Sequence, residues 1–296
     1  MAGITTDIRE LYKRSDIASR YVLINVGVFL VLKIIVFIQW GLQMDSFHLV
    51  DWLSLWADPK VFATRPWGLL TYMFVHEGFF HILFNMLWLY MAGRIFLDLL
   101  GGKRFIKTYW LGGIAGGLLY LLAYNILPAL QGTGWSMIGA SGAVFSVFIA
   151  LAAFAPDYTV RLVFIGPVKL KWIAIVFVIL NLPNQNGNLG GHLAHLGGAL
   201  WGYTYARQLK SGKETALWFD RWADQVMAWF KRSPKKARMK AYAGNAAPAR
   251  DDKEYNAQKK AKQAEIDRIL DKISKSGYES LTDKEKETLF KASNKD

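Results

Sequence analysis

Cysteine is absent from the 296 residues. That excludes disulfides, a thiolate nucleophile, iron–sulfur clusters and cysteine-type zinc sites. Any nucleophile is therefore a hydroxyl, an amine, a carboxylate or a bound water. Charge is also scarce, at 20% of residues, against about a quarter in an ordinary soluble domain. The shortage is local. Residues 1–206 hold 14 Lys/Arg and 9 Asp/Glu, whereas 207–296 hold 22 and 14. Apolar residues make up 53% of the chain, with 12 Trp and 18 Phe. A single soluble globule is excluded by the long apolar runs, and a fully disordered chain by the apolar content.

A membrane-spanning helix needs about 20 apolar residues to cross about 30 Å of hydrocarbon. Six such spans are predicted, at about 21–41, 78–97, 106–127, 141–155, 170–183 and 189–206. The first contains Lys33, and the fifth is weak because Pro183 ends it early. The N-terminus does not read as a cleaved signal peptide, since its first 20 residues mix three acidic with four basic side chains. Loop charges set the orientation. Arg94, Lys103, Arg104 and Lys107 follow span two, and Arg161, Lys169 and Lys171 follow span four, while 128–140 and 184–191 carry no charge. Both termini are expected on the cytoplasmic side of a cell membrane. Trp40, Trp52, Trp56 and Trp67 gather around the first outside loop. There LVDWLSLW (49–56) reads either as an interfacial helix or as an apolar loop.

The tail reads differently. Aromatics three and four apart in 218–230 predict an amphipathic helix, and 231–240 is a basic run suited to anionic lipid or to a solvated linker. Residues 241–251 read as a linker, and 252–274 and 282–292 as two soluble helices. The expected organisation is a cytoplasmic segment 1–20, a membrane domain 21–206, an amphipathic helix with basic linker 207–250, and a helical tail 251–296. The net charge of +13 does not point to nucleic acid. No aromatic–basic interleaving accompanies it, and the loop pattern accounts for it.

All five histidines, His48, His76, His81, His192 and His195, lie before residue 196. Titratable groups in a bilayer are costly and usually functional. At about 1.5 Å per residue from the nearest cytoplasmic charge, Ser141, His195 and His81 lie about 24, 18 and 20 Å up. Polar groups from three spans thus share one layer beneath the outer surface, where they should converge on one another or on a wet cavity. Ser141 follows Gly139-Ala140 at the start of a span too short to cross. It opens either a capped, glycine-packed helix or a helix N-terminus able to stabilise an oxyanion. In span six, Gly190, Ala194, Gly198 and Gly202 form a small-residue stripe beside His195. That histidine is either a packing residue or the base for a serine. His81 and Asn85 share a helix face at i and i+4, as two oxyanion donors or as a bridge between helices. Phe145 stands one turn after Ser141, on the face that would meet His195.

His76-Glu77-x-x-x-His81 misses the metalloprotease spacing by one residue, and no carboxylate lies in span six. No metal site is expected. Without an acidic residue near His195, a Ser–His dyad is the stronger reading than a triad, and something else must hold the imidazole.

These motifs, in this order, resemble the rhomboid family of intramembrane serine proteases. The likeness covers about 60–206, through Arg65-Pro66-Trp67 with LLTYMF, HxxxN in span two, GASG in span four and GxxxAHxxGxxxG in span six. It implies an all-α, six-helix membrane bundle of rhomboid type, with a short soluble helical tail outside the match. It also implies Ser141 as nucleophile, His195 as base, and His81, Asn85 and the Ser141 amide as oxyanion contacts. Gly139 goes with that oxyanion and substrate site. Phe145 matches the position that stacks on the catalytic His, and His76 a frequent, less essential one. The family's first-loop Trp-Arg pair is not evident. The implied activity is hydrolysis of peptide bonds in or near transmembrane segments of other proteins, without metal, ATP or other cofactor, at a site toward the outer side. Substrate entry is expected past the fifth span and loop 184–191. The competing expectations are a non-catalytic membrane adaptor that retains transmembrane clients, and an intramembrane metalloprotease, which the spacing disfavours.

Overall fold

The computed structural model describes residues 4–44, 48–131, 136–163, 165–182, 188–230 and 252–293. The expected basic run 231–240, the linker 241–251 and the first half of the entry loop (184–187) lie outside these. The chain divides into two units, 1–231 and 232–296. In chain order the first holds α1 (Ile4–Arg14), α2 (Ile17–Gly41), α3 (Leu49–Leu53), β1 (Leu55–Trp56), α4 (Pro59–Thr64), α5 (Gly68–Thr71), α6 (Phe79–Leu100) and α7 (Gly102–Ile126). It continues with β2 (Ser136–Met137), α8 (Ser141–Phe154), β3 (Thr159–Leu162), β4 (Gly166–Lys169), α9 (Leu170–Leu180), α10 (Leu189–Lys210) and α11 (Leu217–Phe230). The second unit is α12 (Asp252–Ser276) and α13 (Asp283–Ser293).

The fold is all-α in character, and its helices bury the wrong residues for a soluble protein. Leu30, Ile34 and Phe37 of α2, Phe80 and Phe84 of α6, and Ile175 and Ile179 of α9 are exposed, as suits a hydrocarbon solvent. By length and composition α2, α6 and α7 qualify as spans. Helices α8 and α9 are apolar but only 14 and 11 residues long. Helix α10 has 22 residues, diluted by glycine and polar side chains.

At the centre stands α8, buried at every residue from Gly142 to Ala152. Small residues let its neighbours approach. A Cβ on Gly198 of α10 would run into the Gly142 carbonyl oxygen, and one on Gly202 into that of Ser146. From α7, a Cβ on Gly112 would strike the Ser146 side chain. Between α8 and α10 the backbones therefore touch without intervening side chains, the close packing expected when hydrophobic force between helices is missing. Ser146, fully buried, donates its hydroxyl to the Thr108 carbonyl at 3.0 Å.

Two lysines within the long apolar helices are partnered. Lys33 donates to the Glu77 carbonyl at 2.6 Å. Lys107, counted in the sequence among the charges that follow span two, is inside α7 and 1% exposed, paired with Glu214 at 2.8 Å and Asp220 at 2.7 Å. Two carboxylates from the stretch after α10 offset the cost of burying the ammonium. Arg104 and the Tyr205 hydroxyl also donate to Glu214, at 2.8 and 2.7 Å. Burial pushes the Glu214 carboxyl up, but these donors outweigh it and hold it below the usual range.

Two segments depart from their sequence reading. Residues 49–56 are helical only over Leu49–Leu53; Leu55 and Trp56 then pair with Met137 and Ser136 in the segment before α8. The charged turn after α8 is a hairpin, Thr159–Leu162 against Gly166–Lys169. At its foot Lys171 and Lys169 hold the Asp157 carboxyl down to about 2. In the second unit, Thr282 and Glu285 exchange bonds in a capping box that starts α13.

Candidate active site

The chain enters α8 through a constrained turn. Gly139 has φ 126°, a left-handed value that favours glycine. Its N–H donates to the Tyr72 carbonyl at 2.9 Å. Tyr72 is 1% exposed and gives its own hydroxyl to the Gly113 carbonyl at 2.7 Å. The turn is thereby tied to α7. A Cβ on Gly139 would lie 2.7 Å from His81 Nε2 and 3.7 Å from Ser141 Oγ, so both face the bare Cα of this glycine. Ser141 is the first residue of α8, and no side chain caps the helix. Its first-turn N–H groups carry the partial positive charge of a helix N-terminus. The Ala140 N–H points to His76 Nε2 at 3.5 Å.

His195 arrives from α10. A Cβ on Gly142 would come within 3.1 Å of the Ala194 carbonyl oxygen, so the residue after Ser141 and the residue before His195 are packed together. Phe145 lies flat on the imidazole, with ring centroids 4.4 Å apart and planes at 1°. His195 Nδ1 is 2.7 Å from Asn181 Oδ1. His192 stands edge-on at 6.3 Å between centroids.

Asn85 donates to the His81 carbonyl at 2.8 Å along α6, which commits one of its two N–H groups. A pocket of about 220 Å³ opens between α6, α8 and α9, lined by Asn85, Ser141, Phe145, Trp88, Phe177 and Asn181 among others. Of the residues singled out in the sequence, it takes Asn85, Ser141 and Phe145. His195 joins through Phe145, and His81 through Gly139. A hydroxyl and two side-chain amides thus line one mostly apolar cavity, and the His195 imidazole lies against its wall, stacked on Phe145 and 2.7 Å from Asn181; such groups are those that acyl transfer uses. Among the described residues no three His, Cys, Asp or Glu side chains converge as metal ligands.

Three features escaped the sequence reading. Asn181 follows directly on α9; its one signal is a polar residue closing an apolar run. Tyr72 is hidden within LLTYMF. Arg65 reaches back to lie 4.6 Å over the Trp52 ring, which stacks on Trp67, so a Trp–Arg contact exists without the two being adjacent in sequence. The expected span 189–206 and the expected entry loop 184–191 overlap, and Leu189–Gly191 belong to α10. Asn188 caps α10 through the Gly191 N–H at 2.9 Å, which makes Gly190 and Gly191 helical.

Fold and site define a polytopic helix-bundle membrane protein with a pocket between its helices that Ser141 helps to line. A family model for the Rhomboid domain matches residues 63–211, half of the chain, and the chain belongs to the rhomboid family. Residues 251–295 match a family of unknown function, DUF6576. Among similar proteins, "RHOMBOID-like protein 12, mitochondrial" of Arabidopsis thaliana is 28% identical over 62% of this chain and 55% of its own length. "Rhomboid protein 1, mitochondrial" of Saccharomyces cerevisiae is 30% identical over 62% and 52%. "Presenilin-associated rhomboid-like protein, mitochondrial" of Bos taurus is 26% identical over 58% and 45%. The matched stretch therefore spans about half the length of these relatives.

Proposed function

We propose that this rhomboid-family chain is an intramembrane serine endopeptidase acting through Ser141 and His195. Ser141 Oγ attacks the scissile carbonyl while His195 Nε2 takes its proton. The tetrahedral oxyanion is met by the Ser141 N–H, His81 and Asn85. The imidazolium returns the proton to the leaving amine, and water then hydrolyses the Ser141 ester by the same base. The observation that carries this reading is the flat stack of Phe145 on His195, one turn from Ser141 and on the wall of the same pocket.

The substrates in this proposal are membrane proteins with transmembrane segments, which reach the pocket from the lipid past α9. The proposed topology has six spans, α2, α6, α7, α8, α9 and α10, with both termini on the basic side and the pocket toward the other. That basic side is the cytoplasmic face of a cell membrane, or the equivalent face of a mitochondrial membrane, the compartment named in the relatives above.

The test is labelling by a serine-directed fluorophosphonate, with cleavage of a membrane-anchored reporter, in membranes holding comparable amounts of each variant. Ser141→Ala and His195→Ala should each abolish both. Cleavage that persists in Ser141→Ala overturns the mechanism. A wild type that neither labels nor cleaves but retains the intact reporter favours the adaptor reading.

A further inference from the structure

The sequence offers no carboxylate to hold His195, yet its imidazole is held. Asn181 Nδ2 donates to the Phe177 carbonyl at 2.8 Å. That bond fixes which way the amide points, because a flipped amide would set oxygen against oxygen. Oδ1 is therefore the atom 2.7 Å from His195 Nδ1. An amide oxygen only accepts, so Nδ1 carries the hydrogen. A neutral imidazole has one N–H, which leaves the Nε2 lone pair bare for a serine proton. When that proton arrives, the Nδ1–H bond to Oδ1 becomes charge-assisted and stronger.

We propose that Asn181 is a positioning residue that completes a Ser141–His195–Asn181 relay and ties the orientation of the base to the end of α9; this rests on the endopeptidase reading above. The tie matters because of where Asn181 stands. Helix α9 has 11 residues, and Ile175, Val176, Ile179 and Leu180 are exposed. It faces the pocket through Phe177, whose ring lies 4.3 Å from that of Trp88 and 5.6 Å from that of Phe145. One short element thus supplies both a wall of the pocket and the acceptor that orients the base. With the end of α9 in place, Nε2 is presented to Ser141. With it displaced, the imidazole is free to rotate or to take the other tautomer. The other titratable side chains acting on His195 are His192 on its own helix and His81 on α6.

The test uses full-length protein in membranes and two variants that melt like wild type in detergent. Asn181→Leu keeps bulk and removes the acceptor. Labelling of Ser141 by the fluorophosphonate, and kcat on the reporter, should fall at least about tenfold, within the range general-base catalysis supplies, with KM little changed. Asn181→Asp restores an acceptor with a charge. It should recover most of the rate and move the acidic limb of the pH–rate profile upward, because a carboxylate favours the imidazolium. Wild-type labelling in Asn181→Leu overturns the proposal. So does an Asp variant as slow as Leu with an unmoved acidic limb, which would mark a packing role. If Ser141→Ala itself still cleaves, the endopeptidase reading falls instead.

Discussion

Phe145 and His195 lie face to face, 4.4 Å between ring centroids and 1° between planes. The stack leaves the imidazole free to turn only within its own plane, and the bond to Asn181 removes that freedom too. Phe145→Tyr preserves the ring and should cleave a membrane-anchored reporter within a few-fold of wild type. Phe145→Leu keeps apolar bulk without the flat face and should be slower by about tenfold or more, on the scale of a misplaced catalytic group. Equal rates for the two would deny the stack any part in catalysis.

The contact of α8 with α10 is a contact of main chains. Gly198→Val places side-chain atoms where the Gly142 carbonyl oxygen stands, and no rotamer relieves that. The variant should fail to accumulate in membranes. Gly27 in α2 is the control, with nothing within 4 Å of its would-be Cβ. Gly27→Ala should melt at or slightly above wild type, as Ala is favoured over Gly in a helix by about 0.5–1 kcal/mol. Paired melting curves in detergent decide the matter.

Gly139 answers two demands at once, a left-handed φ and the close presence of His81. Gly139→Ala meets both obstacles. Reporter cleavage and fluorophosphonate labelling should both be lost, while α8 itself, buried along its length, stays folded by circular dichroism. A fully active alanine variant would remove this turn from the site.

The site was legible where one helix carries two residues in a fixed relation. Ser141 with Phe145, and His81 with Asn85, are separated by a helical turn, and the period of 3.6 residues puts each pair on one face. Across helices the small-residue stripe of α10 pointed to the right neighbour. What stayed hidden depends on chain folding back over a distance. Asn181 and His195 stand 14 residues apart, one just after α9 and the other in α10, and no local pattern pairs them. Lys107 read as one more loop cation, because its partners Glu214 and Asp220 lie over a hundred residues downstream. The β3–β4 hairpin was masked by its charges, which served the orientation argument but say nothing of strand pairing.

Glu214 gives the bundle a dependence on acid. Its carboxyl is held below the usual range by Lys107, Tyr205 and Arg104, against the effect of burial. A depressed folded-state value means stability that is present above the unfolded carboxyl value of about 4.3 and lost as pH falls through the folded one. Glu214→Gln should therefore melt below wild type in detergent at pH 7. The gap between the two should narrow once pH falls below the unfolded carboxyl value and close as it passes through the lower folded one. A gap that is constant with pH would mean the carboxylate charge is irrelevant there.

Where main chains meet directly, nothing soft lies between them to be compressed or rotated. Helices α7, α8 and α10 form such a block, stiff against sliding in the way that stacked plates without grease are stiff. Helix α9 meets α8 through rings as well, Phe177 against Phe145 and Phe148, and such a contact can adjust by rotation where a main-chain contact cannot. The pocket is thus walled on one side by a rigid anvil and on another by a slat set on aromatic rings.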